Sequence, residues 1–149
     1  MLLVTGASGY LGRAVLRELA QHGHAIRTTT RALSGVLDES VIFYDMSSYE
    51  PPSATLFEGV SAIIHCAGIA HRRAATSEYT DINVTATVRL AQAAAAAGIS
   101  QFVFVSSMNI VPTGARAPDA EAAAWPEPSD PYSASKWTAE QELERVLSG

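Results

Sequence analysis

The chain has a single cysteine, Cys66, so no internal disulfide can brace it. No apolar run approaches the roughly 20 residues a membrane-spanning helix needs. Charged residues make up only 17% of the sequence, and the net charge is −5. Arg72-Arg73 is too short to form a basic patch, and no lysine- or arginine-rich stripe interleaves with aromatics. That argues against a nucleic-acid or anionic-membrane surface. The four histidines and Cys66 lack metal-ligand spacing. They also make no persuasive Ser-His-Asp set: His65 falls in a strand and His71 in a loop, with no fixed partner evident, and His22 and His24 flank Gly23 near a helix end. The chain opens on a strand and a glycine loop, not on a charged region and an apolar signal core. With the lone thiol, this predicts a reducing, cytoplasmic setting.

What is present is one domain's worth of chain: 149 residues at 48% hydrophobic content. Such a chain can bury about two thirds of its unfolded surface. Periodicity predicts strands at 2–5, 25–30, 41–44, 62–66 and 101–106. Helices are predicted at about 10–21, 83–97 and 131–147, the first with Leu11, Val15 and Leu19 on one face. Asn83 is read as opening the alanine-rich helix that Gly98 stops. Strands and helices alternate, which predicts an α/β, Rossmann-like doubly wound parallel sheet of order 3-2-1-4-5 over residues 1–149. The Pro-, Ala-, Asp- and Glu-rich connection at 111–130 reads as a mobile loop over a site or, blandly, as a linker.

Two motifs carry chemistry. In Val4-Thr-Gly-Ala-Ser-Gly-Tyr-Leu-Gly12, glycines recur every third residue between a strand and a helix. Gly6 suits a tight turn, Gly9 a close approach of backbone to pyrophosphate, and Gly12 close packing of helix on sheet. The helix N-terminus then faces the phosphates. In Asp130-Pro-Tyr-Ser-Ala-Ser-Lys136, Asp130 suits an N-cap and Pro131 the first helical position. Tyr132 and Lys136 then stack one turn apart. A lysine beside a phenol favours phenolate, which makes the tyrosine a usable base for a hydroxyl proton.

With Asp45 after the third strand, His65-Cys-Ala-Gly-Ile-Ala70, Asn83, Phe102-Val-Phe-Val-Ser-Ser107 and Trp137-Thr-Ala-Glu140, these motifs span nearly the whole chain. It resembles the extended short-chain dehydrogenase/reductase superfamily, the branch of NAD-dependent nucleotide-sugar epimerases and dehydratases. The separation of Ser107 from Tyr132 is the one usual in that branch, and the finer likeness is to bacterial UDP-sugar 4-epimerases. The resemblance implies a catalytic set of Ser107, Tyr132 and Lys136. Ser107 would bind the substrate oxygen, Tyr132 shuttle the proton, and Lys136 hold the phenol acidic while touching the nicotinamide ribose. It further implies cofactor contacts from Gly6, Ser8, Gly9, Tyr10, Leu11, Gly12, Arg31, Asp45, Met46, Ala67, Gly68, Asn83, Tyr132 and Lys136. Asp45 would meet the adenine amino group or, blandly, cap a turn. Ser107 and Asn83 likewise have bland readings, as a turn hydroxyl and a helix cap.

Arg31 stands where NAD-binding folds usually carry an acid for the ribose 2′-hydroxyl, and an arginine there can pair with the 2′-phosphate of NADP. The resemblance to epimerases points to NAD, so NAD and NADP both stand as cofactors. Relatives continue for about as long again, adding strands and a lobe that grips the nucleotide-sugar partner, so a substrate lobe is expected to be absent here and the fifth strand exposed at an edge. The resemblance also implies a homodimer through helices 83–97 and 131–147. Three readings follow: a nucleotide-sugar 4-epimerase or dehydratase, an NADP-dependent keto-sugar reductase, or a catalytically idle dinucleotide-binding module.

Overall fold

The structure is a computed structural model that describes residues 1–31, 40–48, 50–70, 74–111 and 126–148. Most of the connection expected over the site, together with His71 and Arg72-Arg73, lies outside these residues. The strands are β1 (Leu2–Thr5), β2 (Ile26–Thr30), β3 (Val41–Phe43), β4 (Ala62–His65) and β5 (Gln101–Phe104). They form one parallel sheet in the order β3-β2-β1-β4-β5. The helices are α1 (Tyr10–Gln21), α2 (Thr76–Tyr79), α3 (Ala86–Ala96) and α4 (Pro131–Leu147), with a π-helical stretch, Thr80–Thr85, joining α2 to α3.

Sequence position in the sheet explains strand character. Central β1 and β4 read Leu-Leu-Val-Thr and Ala-Ile-Ile-His and are almost wholly buried, as strands covered on both faces must be. Edge strand β5 alternates, with Gln101 and Val103 exposed and Phe102 and Phe104 half-buried. The β1-α1-β2 and β4-α3-β5 crossovers run in opposite directions from the middle of the sheet, so right-handed connections place α1 and α3 on opposite faces. The α3 face holds the main core: Leu3, Leu56, Phe57, Ile63, Leu90, Ala94 and Ile99. Fully buried Ala86, Ala91 and Ala94 are the small residues that let α3 approach its neighbours. The α1 face is thinner, because Gly12 is the one fully buried residue of that helix and Val15, Leu16 and Leu19 are half-buried.

Three expectations need correction. The helical run reaching Ala96 starts at Thr76, so Asn83 does not open a helix; it lies buried within the π-helical stretch. Pattern reading missed the earlier start because the extra residue of a π turn breaks the 3.6-residue period. Leu11 is 44% exposed rather than on the inward face. His65 does have fixed partners: Nδ1 lies 2.7 Å from Thr5 Oγ1 and Nε2 3.0 Å from Thr87 Oγ1. Burial, helped by the charge of Lys136, pushes its pKa down to about 3, so this imidazole is a neutral tie between β1, β4 and α3. No helix among the described residues is long and apolar enough to cross a membrane.

Candidate functional site

At the carboxyl ends of the strands the chain forms an open groove of about 1210 Å³. The glycine loop makes one wall. Gly6 turns out of β1 at φ +69, in the left-handed region that only glycine enters cheaply, and its carbonyl accepts from the Gly9 amide at 3.0 Å. A Cβ on Gly12 would sit 2.1 Å from the Gly6 carbonyl oxygen and 2.8 Å from Ala7 Cα. Gly12 therefore permits contact of helix with loop rather than of helix with sheet. No side chain caps α1, since its N-cap is Gly9, and its first turn carries no acid. The amides at that end point into the groove with the helix's partial positive charge behind them.

The far wall is supplied by β2 and the residue after it, the segment that follows β3, and α3: Thr28, Thr29, Thr30, Arg31, Tyr44, Met46 and Arg89. Among the described residues, two hydroxyls in this groove, Tyr44 Oη and Ser106 Oγ, are buried without a hydrogen-bond partner. Burial pushes the Tyr44 phenol above its ordinary value, against the opposing pull of Arg89, so it is a neutral donor. Orphaned buried hydroxyls are costly unless something meets them, at about 1–3 kcal/mol each. A helix start with no side-chain cap, a glycine-rich loop and two unpartnered hydroxyls fit a phosphate-bearing dinucleotide lying along the strand ends.

The third wall is the start of α4. Asp130 caps it, its Oδ1 accepting from the Ser133 amide at 2.9 Å, and Pro131 fills the first turn as its spacing predicts. Tyr132 and Lys136 both line the groove. Lys136 is only 5% exposed, with Nζ 3.9 Å from the centroid of Phe104. Burial lowers its pKa to about 8, with Glu140 and Cys66 working the other way. The Tyr132 ring lies 6.1 Å from the buried ring of Tyr79.

Beneath this wall runs a hydrogen-bonded strap. Asn83 Oδ1 accepts from the Ile69 amide at 2.8 Å, and its Nδ2 donates to the Ile69 carbonyl and to Ser135 Oγ, both at 3.0 Å. Ser135 Oγ in turn donates to the Tyr132 carbonyl at 2.7 Å. The π-helical stretch thus ties the loop after β4 to the backbone of the tyrosine. Asn83 is 1% exposed and does not line the groove, so its place is structural support beneath the site.

Of the residues expected at the site, Gly6, Ser8, Gly9, Tyr10, Leu11, Gly12, Arg31, Met46, Ala67, Gly68, Tyr132 and Lys136 line one groove. Asp45 does not. Its Oδ1 accepts from the Ser47 hydroxyl at 2.7 Å and the Ser47 amide at 2.9 Å, the geometry of a turn cap. Those bonds, with a smaller pull from Arg31, hold its carboxyl below the usual range. Ser107 starts a 3-10 turn, Met108–Ile110, its Oγ accepting from the Asn109 amide at 3.2 Å, while neighbouring Ser106 faces the groove. Sequence reasoning missed Tyr44, Ser106 and Arg89. The adjacent Ser106-Ser107 pair was the available signal for one of them, but which hydroxyl faces inward depends on where β5 ends. Among the described residues no group of His, Cys, Asp or Glu could hold a metal ion.

Known proteins resemble this chain in sequence and fold. The chain is 32% identical to a UDP-glucose 4-epimerase of Erwinia amylovora over 95% of its own length and 47% of the relative's. It is 32% identical to a UDP-glucose 4-epimerase of Klebsiella pneumoniae over 73% of its own length and 90% of the relative's. The solved structure of MoeE5 in complex with UDP-glucose and NAD superposes with a TM-score of 0.79 at 28% identity, covering 97% of this chain and 48% of that one. The chain thus spans about half the length of the Erwinia relative and of MoeE5. With the glycine loop and Tyr132-Lys136 on one groove, and with residues 2–147 matching throughout, the chain belongs to the NAD dependent epimerase/dehydratase family.

Proposed function

We propose that this chain supplies the cofactor-binding and proton-transfer residues of a nucleotide-sugar oxidoreductase, and that its reaction is the 4-epimerisation of a UDP-sugar. The observation that carries the reading is the placing of Tyr132 and Lys136 on the same groove as the capless, glycine-lined start of α1. The dinucleotide, when bound, supplies the place to which a hydride is lent and from which it is returned. Every proton step falls to the chain. Tyr132 takes the proton of the sugar hydroxyl and gives it back, a role for which general acid–base catalysis is worth about 100- to 10,000-fold. Lys136 keeps a positive charge beside the groove up to about pH 8. Ser107, whose hydroxyl keeps its own proton to donate while accepting from the Asn109 amide, is the residue we assign to the substrate oxygen.

The UDP-glucose 4-epimerases among the relatives favour epimerisation over release of the keto sugar. The test is interconversion of UDP-glucose and UDP-galactose by the protein carrying this sequence, with Tyr132→Phe alongside. Turnover that survives the substitution removes Tyr132 from the reaction. Net consumption of reduced cofactor would favour a keto-sugar reductase instead. We also propose that α3 and α4 pair two copies of the protein; a monomeric mass by light scattering at high concentration excludes that.

A further inference from the structure

We propose that Tyr79 is a positioning residue for Tyr132: its buried ring fixes the direction in which the Tyr132 phenol projects into the groove. The inference rests on the proton-transfer reading above and adds to it a side chain that is not among those lining the groove.

Tyr132 is the second residue of α4, after Asp130 at the cap and Pro131. Its backbone is well held, because the Ser135 hydroxyl donates to its carbonyl at 2.7 Å and Asn83 donates to Ser135. Neither bond touches the ring. The side chain is half-buried on an open groove, and among the described residues no hydrogen bond reaches its hydroxyl. Free side-chain torsions therefore separate a well-placed backbone from a well-placed phenol. Tyr79 supplies the missing constraint. Its ring centroid lies 6.1 Å from that of Tyr132, with the planes 58° apart, the tilted arrangement that aromatic pairs favour. Among the described residues no other aromatic ring meets Tyr132 in this way. Tyr79 is itself immobilised: it is 8% exposed, it closes α2, and its amide donates to the Ala75 carbonyl at 3.2 Å. Asn83 stands further along the same helical run. One run thus holds the tyrosine twice, Asn83 through the backbone and Tyr79 through the ring. Proton transfer needs hydrogen-bond reach of about 2.6–3.2 Å, and a misplacement of about 1 Å can cost roughly 100-fold in rate, so a ring free to turn is a poor base.

The experiment follows the Tyr132 ring directly, by NMR of the protein with isotope-labelled tyrosine rings, in the parent, Tyr79→Phe and Tyr79→Leu, each checked for folding by circular dichroism. The parent should give a cross-peak between the two rings and Tyr132 ring shifts displaced from those of free tyrosine. Tyr79→Phe keeps an aromatic ring and should keep the displacement, whereas Tyr79→Leu should move the Tyr132 shifts most of the way to free tyrosine. Turnover of UDP-glucose by the same samples should fall about 5- to 100-fold in Tyr79→Leu through kcat, with KM and dinucleotide affinity within about twofold. Tyr79→Phe should stay within about threefold of the parent. A plain core role would lower the melting temperature without this split. Free-tyrosine shifts for Tyr132 in the parent overturn the inference even if Tyr79→Leu does not fold. Shifts unmoved in Tyr79→Leu, or an unchanged kcat once the ring is released, overturn it as well. A parent without turnover overturns the epimerisation reading instead, and the ring shifts still decide on Tyr79.

Discussion

The two working walls of the groove are built on opposite principles. The glycine loop is made by leaving side chains out: the Gly12 position has no room for a Cβ, and α1 begins without a side-chain cap. The tyrosine wall is made by putting polar side chains in, with Asn83 and Ser135 spanning from Ile69 to the Tyr132 backbone. Each therefore fails differently. The loop should break when anything is added to it, and the tyrosine wall when something specific is removed.

The largest expected effect lies on the tyrosine wall. Tyr132→Phe should lower turnover about 100- to 10,000-fold in the protein carrying this sequence while cofactor affinity, read by calorimetry, stays within about twofold. A large loss of affinity would show that the phenol belongs to binding more than to chemistry. Next comes the loop. Gly12→Ala forces a methyl against the Gly6 carbonyl and should cost about 1–3 kcal/mol of stability and most of the dinucleotide affinity. Thermal melting with and without nucleotide separates those losses, and an unchanged melt with full affinity would mean that the loop has slack.

Smaller, and sharper as a comparison, are the strap variants. Asn83→Ala and Ser135→Ala each leave buried polar groups unpaired and should each cost about 1–3 kcal/mol. Because the two side chains share one hydrogen bond, the double variant should cost clearly less than the sum. Strict additivity in urea melts would show that the strap does not act as a unit. The smallest effect is in pH. Burial lowers Lys136 to about pKa 8, whereas the unfolded chain keeps it near the ordinary 10.5. Between these values the unfolded state binds more protons, so this residue makes stability rise with pH from about 8 to 10.5. Lys136→Met should lose that rise, so the two melting profiles should diverge between about pH 8 and 10.5, and parallel profiles would contradict it.

The same contrast explains what the sequence discloses. A wall defined by absent side chains is written in residue identity, so Gly6, Gly9 and Gly12 announce their turn, and Asp130-Pro131 announces the start of α4. The strand order, expected from alternation, right-handed crossovers and the glycine-loop fold together, is the order found. A wall defined by pairings is not written locally. Nothing near Asn83 says that its partners are Ile69 and Ser135, and nothing near His65 names Thr5 and Thr87. Asp45 illustrates the opposite case. Its identity suggests function, yet in the structure its Oδ1 is engaged by the amide two residues on, a local choice open to any Asp in a turn.

The π-helical stretch has a consequence for how this chain can change over evolutionary time. Each residue of an ordinary helix advances the face by about 100°. Losing one residue between Asn83 and α3, Thr85 for example, would let the run relax to regular geometry and swing the Asn83 amide off Ile69. Point replacements at exposed Thr80, Asp81 and Thr85 leave that phase untouched. The segment should therefore accept variety in its letters and almost none in its length, so lineages retaining this strap should show substitutions there and no gaps.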